Sequence, residues 1–563
     1  GYIKESEMQN SLYKLLVYFS LALALFSLYC ALNIGLSIDE NYHHRNGGLR
    51  YLYLTSLGKF EAYDWENTRY YPGLYDTIHY ALSKLINFFI DTKHIVKIKH
   101  FINYLFSSLG VLGLFFVNKK IFNKELAILS CILTLLNPFF FGQMGMNPKD
   151  PIIFFALIWA IYFFIKYLEN IYGSRFKYLV FMSVFIGFGT GIRLTFMGLL
   201  LPIGLIWIYT ILQKKIKPSS VLSDLFFGSI IILFLTTLTW PHVHDGNYEL
   251  IFETIKKSSK WLIGFKHSII NGNFYEIQNT PRTYILDIFL YRMPIYFSIL
   301  IIFSYIIIFF KKKFFIEKIN LNFLKTFSLL NIILFFPIIL MIITKTHLYD
   351  NVRLFLFTIP LFATIASVGL FFIIIKFKEF NYLYKSFSFI VLFLLILSLY
   401  RFTLLTPYQY VYTNYYSSPI FSQAQNKFEH DYWSVSYGEL IKKIVKKYGE
   451  LEASKLKIRT CENHHFAYRF YFNQILKTKQ TKGEEADFVI LTDRNLRYRK
   501  KNCLQLFEGE DILSVKRLGL TLSTFRKIQS EEAQVYMTPK WEVKSKKWYK
   551  EMQEQDKLKK NKK

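Results

Sequence analysis

The sequence predicts an α-helical, polytopic membrane protein of about eleven transmembrane helices, ending in a small α/β domain outside the membrane. Three observations carry this. Apolar runs recur from residue 15 to residue 400, clusters of cations separate them on one side only, and after residue 405 the pattern changes to short strand-like and helix-like stretches. The composition agrees: 563 residues, 52% hydrophobic, 19% aromatic, mean hydropathy +0.23 and formal charge +29. These values exclude a disordered chain, a coiled coil and a small disulfide scaffold. A basic balance commonly points to nucleic acid. Here the lysines punctuate apolar runs, so membrane lipids are the expected surroundings and no nucleic-acid partner is expected.

The predicted spans are Leu15–Ile34, Phe101–Val117, Leu126–Phe141, Ile152–Tyr167, Tyr178–Gly189, Leu194–Leu212, Val221–Trp240, Met293–Phe310, Phe327–Ile343, Leu354–Ile375 and Phe387–Tyr400. The fifth and sixth can also form one broken unit turning at Thr190-Gly191-Ile192-Arg193. The first is too long for a signal-peptide core and lacks a small-residue cleavage site. Cations cluster at Lys119, Lys120 and Lys124, at Lys166, Arg175 and Lys177, at Lys214, Lys215 and Lys217, at Lys311, Lys312 and Lys313, and at Lys376, Lys378 and Lys385. The positive-inside rule makes that side cytoplasmic, with the N-terminus inside and, after an odd number of crossings, the C-terminus outside. The chain then divides into a membrane domain, residues 1–405, with long outer loops 35–100 and 241–292, and an extracytoplasmic domain, residues 406–563.

In the outer domain Leu456–Thr460, Asp487–Thr492 and Ile512–Lys527 read as strands and Val435–Tyr448 as a helix. Cys461 and Cys503 can pair there in an oxidising compartment, whereas Cys30 and Cys131 lie in spans and are expected to pack. The stretch Lys540–Lys563, ten lysines against four acids, reads as a solvated tail.

Six polar constellations interrupt this frame, nearly all on the outer side. Asp39 and Glu40, with His43, His44 and Arg45, directly follow the first span; paired carboxylates at a membrane boundary serve either a general base with a helper or a hydrated loop start. Lys149 and Asp150 head the fourth span, where the helix dipole favours the acid and a lysine can meet a phosphate. Arg193 follows the glycine-rich string 187–191, which lacks the preceding strand of a phosphate-cradling loop; the arginine either reaches headgroups or binds an anion. Asp350 and Arg353, in the knot from His347 to Arg353, form a structural bridge or face a cavity. His242, His244 and Asp245 lie close enough to ligate a metal, but two-residue histidine spacing in a loop is weak evidence for one and none is expected. Beyond the last span come Tyr408, Tyr410, Tyr412 and Asn414, then Glu429, Asp431 and Trp433. An interfacial aromatic belt accounts for the tyrosines but less well for the two acids.

The order of these motifs resembles the GT-C membrane glycosyltransferases, nearest to glycosyltransferase family 39 and its bacterial, polyprenyl-phosphate-sugar-dependent branch. The carrying features are Asp39-Glu40 after the first span, Asp150 at the head of the fourth, the long first outer loop, and the strings 348–353, 407–414 and 429–433. The resemblance covers about Leu15 to Trp433. It implies a polyprenyl-phosphate sugar donor, an acceptor that is a glycan, lipid or protein, and a bacterial inner-membrane setting. It assigns Asp39 as catalytic base, with Glu40 and Asp150 beside it. Lys149, Arg193, Arg353 and Arg45 are expected at the donor phosphate, and His43, Asp350, Tyr408, Asn414, Asp431 and Trp433 at the substrate. No metal or other cofactor is required, although paired carboxylates leave room for a divalent ion. The chain lacks the inserted β-trefoil domain of the eukaryotic protein mannosyltransferases, which weakens the case for a protein acceptor.

Two readings from other classes compete with an inverting transferase. A transporter or flippase places ionisable residues near mid-span, where this chain has few. A scaffold that only binds partners tolerates replacement of Asp39, Glu40 and Asp150. Within the enzyme class, a ligase of preassembled glycans is hardly separable by sequence.

Overall fold

The structure, a computed structural model, describes residues 2–60, 68–91, 94–258, 267–379, 382–461, 470–478, 486–495 and 500–528. Every predicted span falls on helix, but they are not equal. Seven described helices are long and apolar enough to cross a membrane alone, among them Ile95–Ile121, Asp150–Glu169, Pro218–Thr237 and Phe323–Ile343. A bent pair, Tyr284–Tyr291 and Ile295–Lys318, which meet at 116°, passes the same test of length and composition only when taken together as one broken span. The third, fifth and sixth predicted spans fall short of that length. The third breaks at Asn137-Pro138 into Lys124–Leu135 and Pro138–Gln143, because a proline cannot continue the hydrogen-bond ladder behind it. The fifth, Phe176–Ile192, ends where Arg193 turns extended, and the sixth restarts as Phe196–Leu199 and Leu201–Gln213. The break anticipated at residues 190–193 is present from its last residue onward, since Thr190, Gly191 and Ile192 stay helical and the chain turns over Arg193, Leu194 and Thr195.

Burial sorts the spans. The segment Ile359–Lys376 is packed on nearly all sides, its apolar residues running round the whole helix. Pro218–Thr237 is as apolar but leaves Leu222, Leu225, Phe226, Leu233 and Phe234 exposed, the surface expected against lipid. One ionisable group inside a span is neutralised locally. Asp224 is buried, accepts a hydrogen bond from Tyr167 Oη (2.6 Å) and pairs with Arg175 Nε (2.8 Å).

The C-terminal α/β domain forms, with the stretch Ile512–Lys527 split into two strands of a hairpin. Strands β3 (Ile458–Thr460), β4 (Phe488–Thr492), β5 (Gly509–Arg517) and β6 (Leu520–Ile528) follow a separate hairpin of β1 (His267–Ile270) and β2 (Asn273–Glu276). The four-stranded sheet runs β3-β4-β6-β5, parallel at β3–β4 and antiparallel elsewhere. Leu518 and Gly519 both take positive φ, the two-residue turn whose twist matches paired strands. Helix Tyr437–Tyr448 buries Leu440, Ile441 and Ile444 against this sheet, the spacing of one helical face. Cys461 and Cys503 are joined, tying the end of β3 to the turn Cys503–Gln505. The lysine-rich stretch 540–563 lies outside the described residues.

Candidate active site

Alternation of the spans brings the ends near residues 37, 150, 193 and 353 together, away from the lysine clusters. The local chemistry at each end explains what its side chains can do. Helix Ile38–Thr55 begins with a capping box: Ser37 Oγ accepts from Glu40 N (3.2 Å) and Glu40 Oε2 accepts from Ser37 N (2.7 Å). Glu40 Oε1 also lies 2.9 Å from His100 Nε2, fully inside the fold. The pair Asp39-Glu40 therefore splits, since neighbours on a helix are about 100° apart. Glu40 anchors the helix to the second span, and Asp39 turns to the site with its side chain 27% exposed.

Arg353 is the hub. Its guanidinium donates to Asp39 Oδ2 from Nη2, to Asp350 Oδ2 from Nη1 (3.0 Å) and to Asp150 Oδ2 from Nε (3.3 Å). Its plane lies 4.7 Å from the ring centre of Trp433. A planar fork with five donors is the side chain able to gather three carboxylates in this way. Each acid is held from behind. Asn147 Oδ1 accepts from Lys149 N and Asp150 N (3.0 Å each), and its amide donates to Asp150 Oδ2 (2.9 Å). Asp350 and Asn351 take positive φ, tolerated best by short polar side chains, and so fold the loop back. Burial pushes the Asp39 carboxyl up, but Arg353, His43, Lys149 and Arg494 together outweigh it and hold it below the usual carboxylate value. Burial raises Asp350, against Arg494 and Arg353.

A second group of cations stands beside the hub. Lys149 is buried, with Nζ 4.1 Å from the ring centre of Tyr71. Burial, then Arg193, brings it down to about 7. Arg193 is half-buried and has no hydrogen-bond or ion-pair partner among the described residues; it acts electrostatically on Lys149, Tyr71 and Tyr349. Two adjacent cations that repel each other inside a fold are able to hold an anion between them.

The remaining predicted residues lie elsewhere, each for a local reason. Arg45 is exposed, on the side of its helix away from Asp39. His43 Nδ1 is 3.0 Å from Asp76 Oδ1, inside the seam between helices Ile38–Thr55 and Leu74–Asn87. There a Cβ at Gly47 would collide with the Asp76 carbonyl. Tyr408 donates to Glu439 Oε2 (3.0 Å), on helix Tyr437–Tyr448 of the C-terminal domain. Asn414 Nδ2 donates to the Leu290 and Met293 carbonyls (2.7 and 2.9 Å), pinning the bent helix pair. Asp431 accepts from the Val435 and Ser436 amides (2.9 and 3.1 Å) and the Tyr410 and Ser436 hydroxyls, which fixes a turn. Of Tyr408, Asn414, Asp431 and Trp433, all expected at the substrate, only Trp433 touches the hub. Tyr71, Asp76 and Arg494 escaped the sequence reading. Asp76, in the first turn of a helix, has an ordinary dipole explanation, and Tyr71 and Arg494 carry no local pattern.

The position of Glu40 gives a testable contrast. Glu40→Gln will cost about 1–3 kcal/mol of stability through the lost His100 pair. It will lower the thermal midpoint while leaving activity per folded molecule largely intact.

Residues 93–240, which span Lys149, Asp150 and Arg193, match the family model described as dolichyl-phosphate-mannose-protein mannosyltransferase. The chain resembles the GT-C membrane glycosyltransferases. Among solved structures, ArnT from Cupriavidus metallidurans bound to undecaprenyl phosphate is 11% identical, over 90% of this chain and 97% of that one, with a TM-score of 0.47. The Archaeoglobus fulgidus oligosaccharyltransferase tethered with an acceptor peptide is 10% identical, over 84% and 69%, with a TM-score of 0.41. The S. cerevisiae protein O-mannosyltransferase Pmt1–Pmt2 complex bound to the sugar donor is 15% identical, over 42% and 34%, with a TM-score of 0.31, so this chain spans about a third of that one. No curated protein matches in sequence. The family match supports a multi-pass membrane glycosyltransferase.

Proposed function

We propose that the protein transfers a sugar from a polyprenyl-phosphate donor to an acceptor hydroxyl on the outer face of the membrane, with inversion at the anomeric carbon. The observation that carries this reading is the meeting of Asp39, Asp150 and Asp350 on Arg353 beside Lys149 and Arg193. The lysine clusters at the other end of the spans support an outer location by the positive-inside rule.

Each residue has a step. Asp39, ionised and partly exposed, takes the proton of the acceptor hydroxyl as that oxygen bonds to the anomeric carbon. The bond from that carbon to the phosphate oxygen breaks, and the electron pair leaves with the phosphate, where Lys149 and Arg193 meet the growing charge. Arg353 orients Asp39 toward the acceptor, and Asp150 and Asp350 hold Arg353.

The test is release of polyprenyl phosphate by detergent-solubilised protein, from a panel of polyprenyl-phosphate sugars with mixed acceptors. Turnover of a donor supports the reading; uptake into liposomes without turnover supports transport instead. The phosphate contact also sets a pH limb. Lys149 binds the donor as a cation, and its charged fraction in the free enzyme falls as pH rises through about 7. The ratio kcat/KM will therefore decline above neutrality. Lys149→Arg, which stays charged, will remove that decline.

A further inference from the structure

We propose that Arg494 completes the active site as a positioning residue, a cation supplied by the outer domain to the Asp39, Asp350 and Glu429 carboxyl groups. Three carboxylates share the Arg353 guanidinium in a largely buried cluster, an arrangement that is costly unless further cations stand near it. His43, paired with Asp76, and Lys149, set against Tyr71 beside Arg193, also act on Asp39, whereas Arg494 is the leading charge on Asp350 and Glu429. Arg494 is buried and follows β4 by two residues.

Its place is fixed by its neighbours. Its carbonyl accepts from Cys503 N (2.8 Å), next to the disulfide with Cys461. Asp493 lies 2.8 Å from His430 Nδ1, and Asn495 N donates to Glu429 Oε1 (3.0 Å). Glu429 O accepts from Asn351 Nδ2 (3.0 Å), and Asn351 adjoins Asp350. One chain of hydrogen bonds thus runs from the sheet of the outer domain to the loop that carries the hub. Arg494 acts electrostatically on Asp39, Asp350 and Glu429. Asp39 is also faced by Arg353 and Asp350 from that loop, Lys149 from the second outer loop, His43 from its own helix and Tyr71 from the first outer loop.

The role of these charges rests on the transfer reading, but the test does not need turnover. A water-soluble carbodiimide with glycinamide labels a carboxyl only when it is protonated, and peptide mass spectrometry reads Asp39 across pH in the full chain. Removing a nearby cation raises a carboxyl, so Arg494→Gln will move the Asp39 labelling curve up by roughly one pH unit. Arg494→Lys will return it toward wild type. Arg526→Gln, which breaks a pair with Asp511 elsewhere in the outer domain, will leave it unmoved. An unmoved curve in folded Arg494→Gln overturns the proposal. Should Arg494→Gln fail to fold, adding Asp350→Asn will restore folding if the arginine compensates that carboxylate, and no restoration overturns the proposal. A shifted curve with no donor turned over refutes the transfer reading and leaves Arg494 in place; turnover with no shift does the reverse.

Discussion

Arg353→Ala will be the most damaging single substitution in the protein. It leaves Asp39, Asp150 and Asp350 facing one another without the cation that gathers them. Removing one partner of a buried ionic network costs about 3–5 kcal/mol, because the other charges stay behind unpaired. A loss of that size is a large share of the margin by which proteins are stable. Thermal unfolding in detergent, followed by tryptophan fluorescence, will register it as the largest fall in midpoint among site variants. Arg353→Lys will recover only part, because an ammonium cannot present the planar fork that reaches three acids and stacks on Trp433. A midpoint unchanged in Arg353→Ala would mean that the cluster is not held by this guanidinium.

Asp39→Asn will have the opposite profile. It keeps the size of the side chain and its acceptor oxygen toward Arg353, and the site is relieved of one negative charge, so the fold will hold. Turnover will fall by about 100-fold or more, the contribution of a positioned general base. The measurement is kcat/KM against thermal midpoint for the same preparation. The low carboxyl of Asp39 sets the pH behaviour of the wild type. Its base form persists as pH falls from neutrality and is lost only below the usual carboxylate range, so the acid limb will lie low. The alkaline limb belongs to Lys149.

Much of this site was legible in the sequence because its residues sit at the ends of apolar spans. A carboxylate beside a twenty-residue apolar run has few ordinary explanations, and Asp39, Asp150, Asp350 and Arg353 were each singled out on that ground. What the sequence left open was which groups face each other. The pair Asp39-Glu40 read as one unit, yet a helix turns successive residues apart, and the serine three positions before Glu40 marks it as half of a capping box. Tyr408, Asn414 and Asp431 stood in polar strings of the same look as the functional ones. Asn414 and Asp431 are occupied by backbone groups at breaks and turns, where buried amides and carbonyls must find partners, and Tyr408 by the Glu439 carboxylate. Helix breaks were equally hard to place. Asn137-Pro138 interrupts a helix that hydropathy alone runs together, whereas the glycines before Arg193 did mark a break. Arg494 was out of reach, because nothing local marks a residue whose role depends on a second domain folding back over the first.

The most direct measurement takes donor binding and single-turnover transfer together, in one preparation of wild type and Asp39→Asn, using the polyprenyl-phosphate sugar that the wild type consumes. The account predicts that Asp39→Asn binds the donor as tightly as wild type, since Lys149 and Arg193 are untouched, and transfers no sugar on the wild-type timescale. Transfer at the wild-type rate, or loss of donor binding along with transfer, would contradict Asp39 as the base of a site whose phosphate contacts lie elsewhere.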